Sequence, residues 1–253
     1  MTDAVDALLA WYPRVARDLP WRRTTDPYAI LVSEVMLQQT QVARVVARYE
    51  AWLARWPTVE ALACAALPDV LSEWVGLGYN RRAKALWEAA RLVAECGWPD
   101  DLTRLPGVGP YTAAAVGSFA FGRAELAIDT NARRVYERWG FVPAAGSPVL
   151  NQAVMELGAT LCRAHVALCE ECPVGGCASR GLEVVRRRPD PARPRVRFED
   201  TDRYVRGQVL AALAGRAPWP AAVGKERLAR AVDGLAADGL VKRENGHTTL
   251  AEG

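Results

Sequence analysis

Four of the six cysteines in this chain fall within sixteen residues, CRAHVALCEECPVGGC, spanning Cys162 to Cys177 with the spacing C-x6-C-x2-C-x4-C. Four thiols so close in sequence leave the backbone few options. Either the segment closes as one loop around a shared ligand, or it carries four neighbouring free thiols. The N-terminus, MTDAVDALLAWYPRVARDLPW, has acidic residues early and no unbroken apolar stretch, so it does not read as a signal peptide. No run of about eighteen apolar residues offers a membrane span. A cytoplasmic location is therefore expected, where disulfides are rare and a cysteine cluster points to a metal or reactive site. Structural zinc usually takes two short Cys pairs across a longer loop. A 4Fe–4S cluster takes one thiolate per iron and suits four cysteines on one compact loop. Spacing alone leaves iron–sulfur, zinc and unligated thiols open. Cys64 and Cys96 sit among apolar residues and are expected to be buried core thiols.

The chain leading to that loop reads as helix. Val42, Val45, Val46, Tyr49 and Leu53 repeat at the spacing of one buried helix face, and Leu150, Val154, Leu157 and Leu161 do the same up to Cys162. Breakers at Pro57, Gly76–Gly78, Pro99, Pro106–Gly109 and Gly140 divide the sequence into segments of about ten to fifteen residues. The fold class expected is all-α. After Cys177 comes RRRPDPARPRVR (Arg186 to Arg197), with almost nothing to bury, which reads as an extended linker or a phosphate-tracking strap. Residues 201–253 then predict two amphipathic helices, Tyr204–Ala214 and Glu226–Ala237, and a hairpin turning at Asn245–Gly246, a type I′ signal. Helix, helix, hairpin is the order of a winged helix, a fold that does not by itself imply a function.

The net charge is only +3, but with lysine confined to Lys84, Lys225 and Lys242 the positive charge is carried by arginine. Arginine suits phosphate, though its abundance can equally reflect genome composition. In LPGVGPYTAAAV (Leu105 to Val116), Gly107 and Gly109 free the backbone for a tight turn. The N–H groups at the start of the following helix can then face a phosphate; an ordinary interhelical turn is the plainer reading.

LPGVG followed by a helix, AIDTNARRV (Ala127 to Val135) and the four-cysteine loop together resemble the helix-hairpin-helix DNA glycosylases that carry an iron–sulfur cluster. SEVMLQQTQVARV (Ser33 to Val45) is similar to the MutY-type adenine glycosylases among them, as are LPWRRTTDPY, GLGYNRRAKAL and MELGATLC. The resemblance covers about residues 8–180, with a last cysteine gap of four residues where five is more usual. It implies a two-lobed glycosylase over 1–181: a six-helix lobe over about 24–130, and an iron–sulfur lobe from the N-terminal helix and 131–181. An Arg/Pro-rich linker (182–200) and a winged-helix-like α+β module (201–253) follow. That module stands where typical members carry a Nudix-like reader of 8-oxoguanine. It is expected to add phosphate contacts rather than to select the lesion.

The resemblance also assigns roles. Breaking an N-glycosidic bond to a purine takes an acid for the leaving base and a carboxylate for the sugar cation. Glu34, within an apolar helix, becomes the acid and Asp129 the carboxylate, with Asn131 orienting it. From the sequence alone these are a solvated helix residue and a helix N-cap. Tyr111 stands where strand-cutting relatives carry a Schiff-base lysine, which implies base removal without lyase chemistry. Gln39 becomes the wedge that fills the stack and Tyr79 the ring beside the opposing base. Trp21, Arg22 and Glu156 line the adenine pocket, Gly107 and Gly109 grip the backbone, and Arg163 and His165 meet phosphate. Cys162, Cys169, Cys172 and Cys177 hold the 4Fe–4S cluster. The expected partner is double-stranded DNA with a mispaired or damaged base, bound by a monomer at the nucleoid. Alternatives are a glycosylase for thymine or uracil opposite guanine or for hypoxanthine, a non-catalytic iron–sulfur DNA-binding protein, and an iron–sulfur transcriptional sensor. Both carboxylates, Glu34 and Asp129, favour an enzyme over the last two.

Overall fold

The computed structural model describes residues 2–182 and 196–253. Most of the linker expected at 182–200 therefore lies outside the described residues. The helices are α1 (Thr2–Val15), α2 (Pro27–Leu37), α3 (Val42–Arg55), α4 (Val59–Ala63), α5 (Leu67–Trp74) and α6 (Arg81–Cys96). They continue with α7 (Pro110–Phe121), α8 (Thr130–Trp139), α9 (Pro148–Thr160), α10 (Asp202–Leu213) and α11 (Lys225–Ala237). Among the described residues the single sheet is one antiparallel pair, β1 (Val241–Glu244) and β2 (His247–Leu250), with Val241 facing Leu250. Also among these residues, no helix is long and apolar enough to cross a membrane.

The chain divides into two compact units, Met1–Glu34 with Val108–Asp190, and Val35–Gly107 with Pro191–Gly253. This grouping follows tertiary contacts rather than chain order. In the first unit Leu8 and Trp11 of α1, Val135 and Trp139 of α8, and Val154 and Leu157 of α9 form one buried cluster. Asn151 of α9 is itself buried. Its amide donates to Ser118 Oγ (2.9 Å) and the Glu125 carbonyl (2.8 Å) and accepts from the Ala127 N–H (3.0 Å). The segment leading into α8 is thereby tied down, and Ser118 of α7 is held to α9. Ser147 caps α9 at Leu150 N, and Gly140, at φ +80°, ends α8 in the left-handed region.

In the second unit Trp52 of α3 packs edge-on to Trp74 of α5, centroids 5.5 Å apart. The buried face of α3 is Val45, Tyr49 and Trp52, with Val42, Val46 and Leu53 flanking it half-buried. Trp87 of α6 donates to the Ala65 carbonyl. The C-terminal helices pack on each other around Val205, Val209, Leu235 and Leu240. Arg216 reaches Glu73 of α5 at 3.0 Å, and Glu73 also meets Arg55. Asn245 and Gly246 both adopt positive φ (+49° and +78°), the type I′ turn that matches strand twist.

One expectation is corrected here. Cys64 and Cys96 are exposed. Cys64 is the C-cap of the short α4, and Cys96 closes α6 before Gly97. In each helix the buried position lies two or three residues earlier, at Leu62 and Val93, so the thiols point off the core face.

Candidate active site

Helix α2 is apolar on all sides, with Ile30, Leu31, Val32, Val35 and Met36 buried. Glu34 is carried into the interior with them and is only 6% exposed. It is therefore not the solvated helix residue that its type alone suggests. Burial, reinforced by the Asp129 carboxylate, pushes its carboxyl up to about 7, although the Tyr111 hydroxyl donates a hydrogen bond that favours the ionised form. Tyr111, in the first turn of α7, is in turn held well above the ordinary phenol range, first by burial and then by the two nearby carboxylates. A carboxylic acid that retains its proton up to about neutral pH results from placing a glutamate in a dry site without a cation to balance it.

Asp129 is the N-cap of α8. One carboxylate oxygen accepts from Ala132 N (2.6 Å) and the other from Asn131 Nδ2 (3.0 Å). Asn131 is itself held, because its Oδ1 accepts from Arg134 Nη2 at 2.8 Å. Arg134 also donates to the Gly158 carbonyl (2.8 Å) and, through Nε, to the carbonyl of Cys162 (2.8 Å). A Cβ on Gly158 would sit 2.9 Å from Asn131 Cβ, so glycine is what lets α8 and α9 approach here. Arg134 escaped the sequence reading, although its i+3 spacing from Asn131 on one helix was a signal.

Glu156 and Arg22 are brought together in a different way. Glu156 is fully buried, and its oxygens take Arg17 Nε (2.6 Å) and Arg22 Nη2 (2.7 Å). Burial alone would raise this carboxyl, but the two arginines outweigh it and hold it below its usual range. Trp21 is buried beside Arg22 in the same short 3-10 turn. Arg163 and His165 are exposed on the loop between the first two clustered cysteines.

All four clustered cysteines line one cavity of about 250 Å³. The Cys172 thiol is pushed up by burial, with the other three thiols adding to the effect, so the four are electrostatic neighbours. Arg138 donates to Cys162 Sγ (3.2 Å) and Cys177 Sγ donates to the Arg138 carbonyl (3.1 Å). No three His, Cys, Asp or Glu side chains among the described residues converge as a single ion requires. A cluster asks for something different, with its sulfurs spread around a common volume rather than meeting at one point. Four soft donors around a cavity this size fit such a group.

In the second unit Gln39 and Tyr79 share a property uncommon outside glycine: both have positive φ, +56° and +47°. Arg82 holds both turns. Its guanidinium donates to the carbonyls of Val35 (2.7 Å), Met36 (3.1 Å) and Gln38 (2.6 Å), and to those of Leu77 (3.2 Å) and Gly78 (3.0 Å). Burial lowers its pKa to about 10. The second arginine of GLGYNRR thus acts as a rivet, which the sequence reading did not assign. Gly107 is at φ +75°, and a Cβ there would meet Ala85 Cβ at 2.8 Å, so both backbone and space demand glycine. Gly109, in extended conformation, is the N-cap of α7, ahead of Pro110.

Comparison with known proteins agrees with this geometry. The family model for the HhH-GPD superfamily base excision DNA repair protein matches residues 32–159. Adenine DNA glycosylase of Mycobacterium tuberculosis (strain ATCC 25618 / H37Rv) is 41% identical, over 93% of this chain and 89% of that one. The Mycolicibacterium smegmatis adenine DNA glycosylase is 39% identical over 93% and 92%. Homo sapiens adenine DNA glycosylase is 43% identical, over 66% of this chain and 37% of the human one. Among solved structures, a thermostable thymine-DNA glycosylase aligns with TM-score 0.61 at 29% identity, covering 66% of this chain and 90% of that chain. An endonuclease III–DNA covalent intermediate aligns at 0.59 and 22%, over 68% and 90%, a likeness of fold alone. The chain belongs to the HhH-GPD superfamily of base excision DNA repair proteins and, within it, to the adenine DNA glycosylases.

Proposed function

We propose that this chain is a monofunctional base-excision-repair glycosylase that hydrolyses the N-glycosidic bond of adenine mispaired with 8-oxoguanine or guanine in double-stranded DNA. The observation that carries the reading is a buried acid, Glu34, whose pKa is pushed up to about 7, in the same unit as a carboxylate, Asp129, held by Asn131 and a helix N-terminus. Glu34 delivers its proton to adenine N7, which turns the base into a neutral leaving group. The Asp129 carboxylate faces the positive charge that develops on the sugar. Its orientation is set in advance by Asn131 and Arg134, so the stabilisation needs no rearrangement. Tyr111 hydrogen-bonds to the acid and carries no amine. The sugar is therefore not captured as a Schiff base: water adds to the cationic carbon, its proton passes to the Glu34 carboxylate left by the first transfer, and an intact abasic strand is released.

The adenine is lined by Trp21, with Arg22 and Glu156 as the paired polar wall. Gln39 fills the vacated stack and Tyr79 stacks beside the opposing base. The N–H groups around Gly107 and Gly109, and Arg163 and His165 on the cysteine loop, take phosphates. Cys162, Cys169, Cys172 and Cys177 hold a 4Fe–4S cluster, whose iron–sulfur bonds cross-link the loop. The protein acts as a monomer at the nucleoid, its 1–181 portion carrying the chemistry.

The test is a panel of duplexes bearing adenine opposite 8-oxoguanine or guanine, thymine or uracil opposite guanine, and hypoxanthine opposite thymine. Adenine opposite 8-oxoguanine should be excised fastest. Faster removal of thymine or uracil would overturn the substrate. Asp129→Asn should slow excision by on the order of 10²–10³ while duplex binding survives. Borohydride should trap no protein–DNA adduct.

A further inference from the structure

Two exposed side chains of the second unit, Gln39 and Tyr79, stand on left-handed backbone. Neither position carries the glycine that a positive φ favours, so the surroundings must hold each turn against relaxation. The two turns are far apart in sequence. The first follows the C-terminus of α2, where the last carbonyls have no partner inside the helix. The second lies between α5 and α6.

Arg82, in the first turn of α6, supplies donors to both. Toward the first turn its Nη1 reaches the carbonyls of Val35, Met36 and Gln38, and its Nη2 reaches the Thr40 hydroxyl at 3.2 Å, so these bonds bracket Gln39 on either side. Toward the second, Nη2 reaches the carbonyls of Leu77 and Gly78, directly before Tyr79. The buried Trp74 indole also donates to the Gly78 carbonyl, at 3.1 Å. The guanidinium lies 5.2 Å from the Trp74 ring centroid and 5.6 Å from that of Tyr79. Arg203 of α10 donates to the Tyr79 hydroxyl, so that ring is held at its tip as well as at its backbone. One planar fork thus serves two turns. A lysine ammonium, with its three donors on a single atom, cannot span both sets of acceptors.

We propose that Arg82 is a positioning residue for DNA distortion, locking Gln39 and Tyr79 into one preformed, two-pronged wedge before DNA arrives. This deepens the function proposed above and rests on the roles given there to Gln39 and Tyr79. Opening a base stack takes free energy, and a prong that had to be ordered on contact would add an entropic penalty to the same step. With both backbones fixed in the folded protein, that ordering is complete beforehand. The strain at Gln39 and Tyr79 is carried by the fold, through the carbonyls that Arg82 satisfies.

The experiment uses the full chain and reads DNA distortion directly. One duplex carries a tetrahydrofuran abasic analogue beside 2-aminopurine, whose fluorescence rises as it unstacks; an undamaged duplex is the reference. Wild type should prefer the abasic duplex and brighten it. Arg82→Lys, measured well below its melting temperature, should cut that preference by on the order of tenfold, as for residues coupled through one hydrogen-bond network. It should also remove most of the brightening at saturating protein. Gln39→Ala should cause a similar loss in wild type but little further loss in Arg82→Lys, because one residue acts through the other. Thr40→Val removes a single acceptor of Arg82. It should move both readouts the same way by a smaller factor, and it keeps the test open if Arg82→Lys does not fold. If Arg82→Lys lowers the melting temperature but leaves preference and brightening unchanged, Arg82 is structural only and the proposal fails. Equal weakening on both duplexes with a shallower salt dependence would make Arg82 a phosphate contact and overturns it too. So do additive losses in Arg82→Lys and Gln39→Ala. Adenine excision is measured alongside. Distortion without excision would sink the enzymatic reading and leave the brace standing, whereas no brightening by wild type removes the roles of Gln39 and Tyr79 and the proposal with them.

Discussion

Glu34 and Glu156 are both buried glutamates on helices of the same unit, 6% and 0% exposed, yet their chemistry runs in opposite directions. Glu34 meets a phenol and another carboxylate, and its carboxyl is pushed up to about 7. Glu156 meets Arg17 and Arg22 and is held below the usual range. Burial is common to both, so burial does not decide which glutamate serves as an acid. The neighbours decide. A site without a balancing cation stores a proton, whereas one with two guanidinium groups stores a charge.

Exchanging each carboxylate for its amide tests that contrast most severely. Glu34→Gln keeps the shape of the protonated acid but cannot release a proton. Excision in single-turnover kinetics should fall by on the order of 10²–10⁴, while the melting temperature at pH 7 does not fall. A variant that retains excision would place the acid elsewhere. Glu156→Gln should do the reverse in kind. It leaves two guanidinium groups around a neutral amide, and denaturation should reveal a loss of about 3 kcal/mol, the lower end for a broken buried pair because Arg17 is partly exposed.

A smaller effect sharpens the same contrast through pH. Between about pH 4.5 and pH 7 an unfolded Glu34 ionises while the folded one keeps its proton. Its contribution is fully present below that window and lost as pH rises through it, at roughly 1 kcal/mol per pH unit. For Glu156, held low, the contribution is present above the unfolded value and lost as the solution is acidified. Denaturation curves across pH should therefore flatten on the neutral side in Glu34→Gln and on the acid side in Glu156→Gln. The least effect belongs to Tyr111→Phe. Without the donated hydrogen bond the Glu34 carboxylate is less favoured, so the alkaline limb of the rate profile should move upward. The stability cost should be about 1 kcal/mol. A downward move would mean that the phenol opposes the ionised form.

Local chemistry was legible along the chain because it acts over a few residues. Gly and Pro punctuation divides the helices, Asn245–Gly246 turns the hairpin, Asp129 reads as a cap, and the four cysteines announce a shared loop. The motifs around Glu34, Asp129 and Tyr111 named the family for the same reason, since each is a contiguous string. Other features depend on which side chains arrive from elsewhere. Cys64 and Cys96 have apolar sequence neighbours, but where the helix faces end leaves them exposed. Arg82 is one arginine among many until the Val35–Gln38 and Leu77–Gly78 carbonyls converge on it. Arg203 lies 124 residues from Tyr79, and no local pattern could pair them. Sequence determined the elements, the cysteine loop and the identity of the chemical groups, because propensity and capping are short-range. The tertiary structure alone decided which buried carboxylate keeps its proton, because a pKa is set by whatever surrounds the group in space.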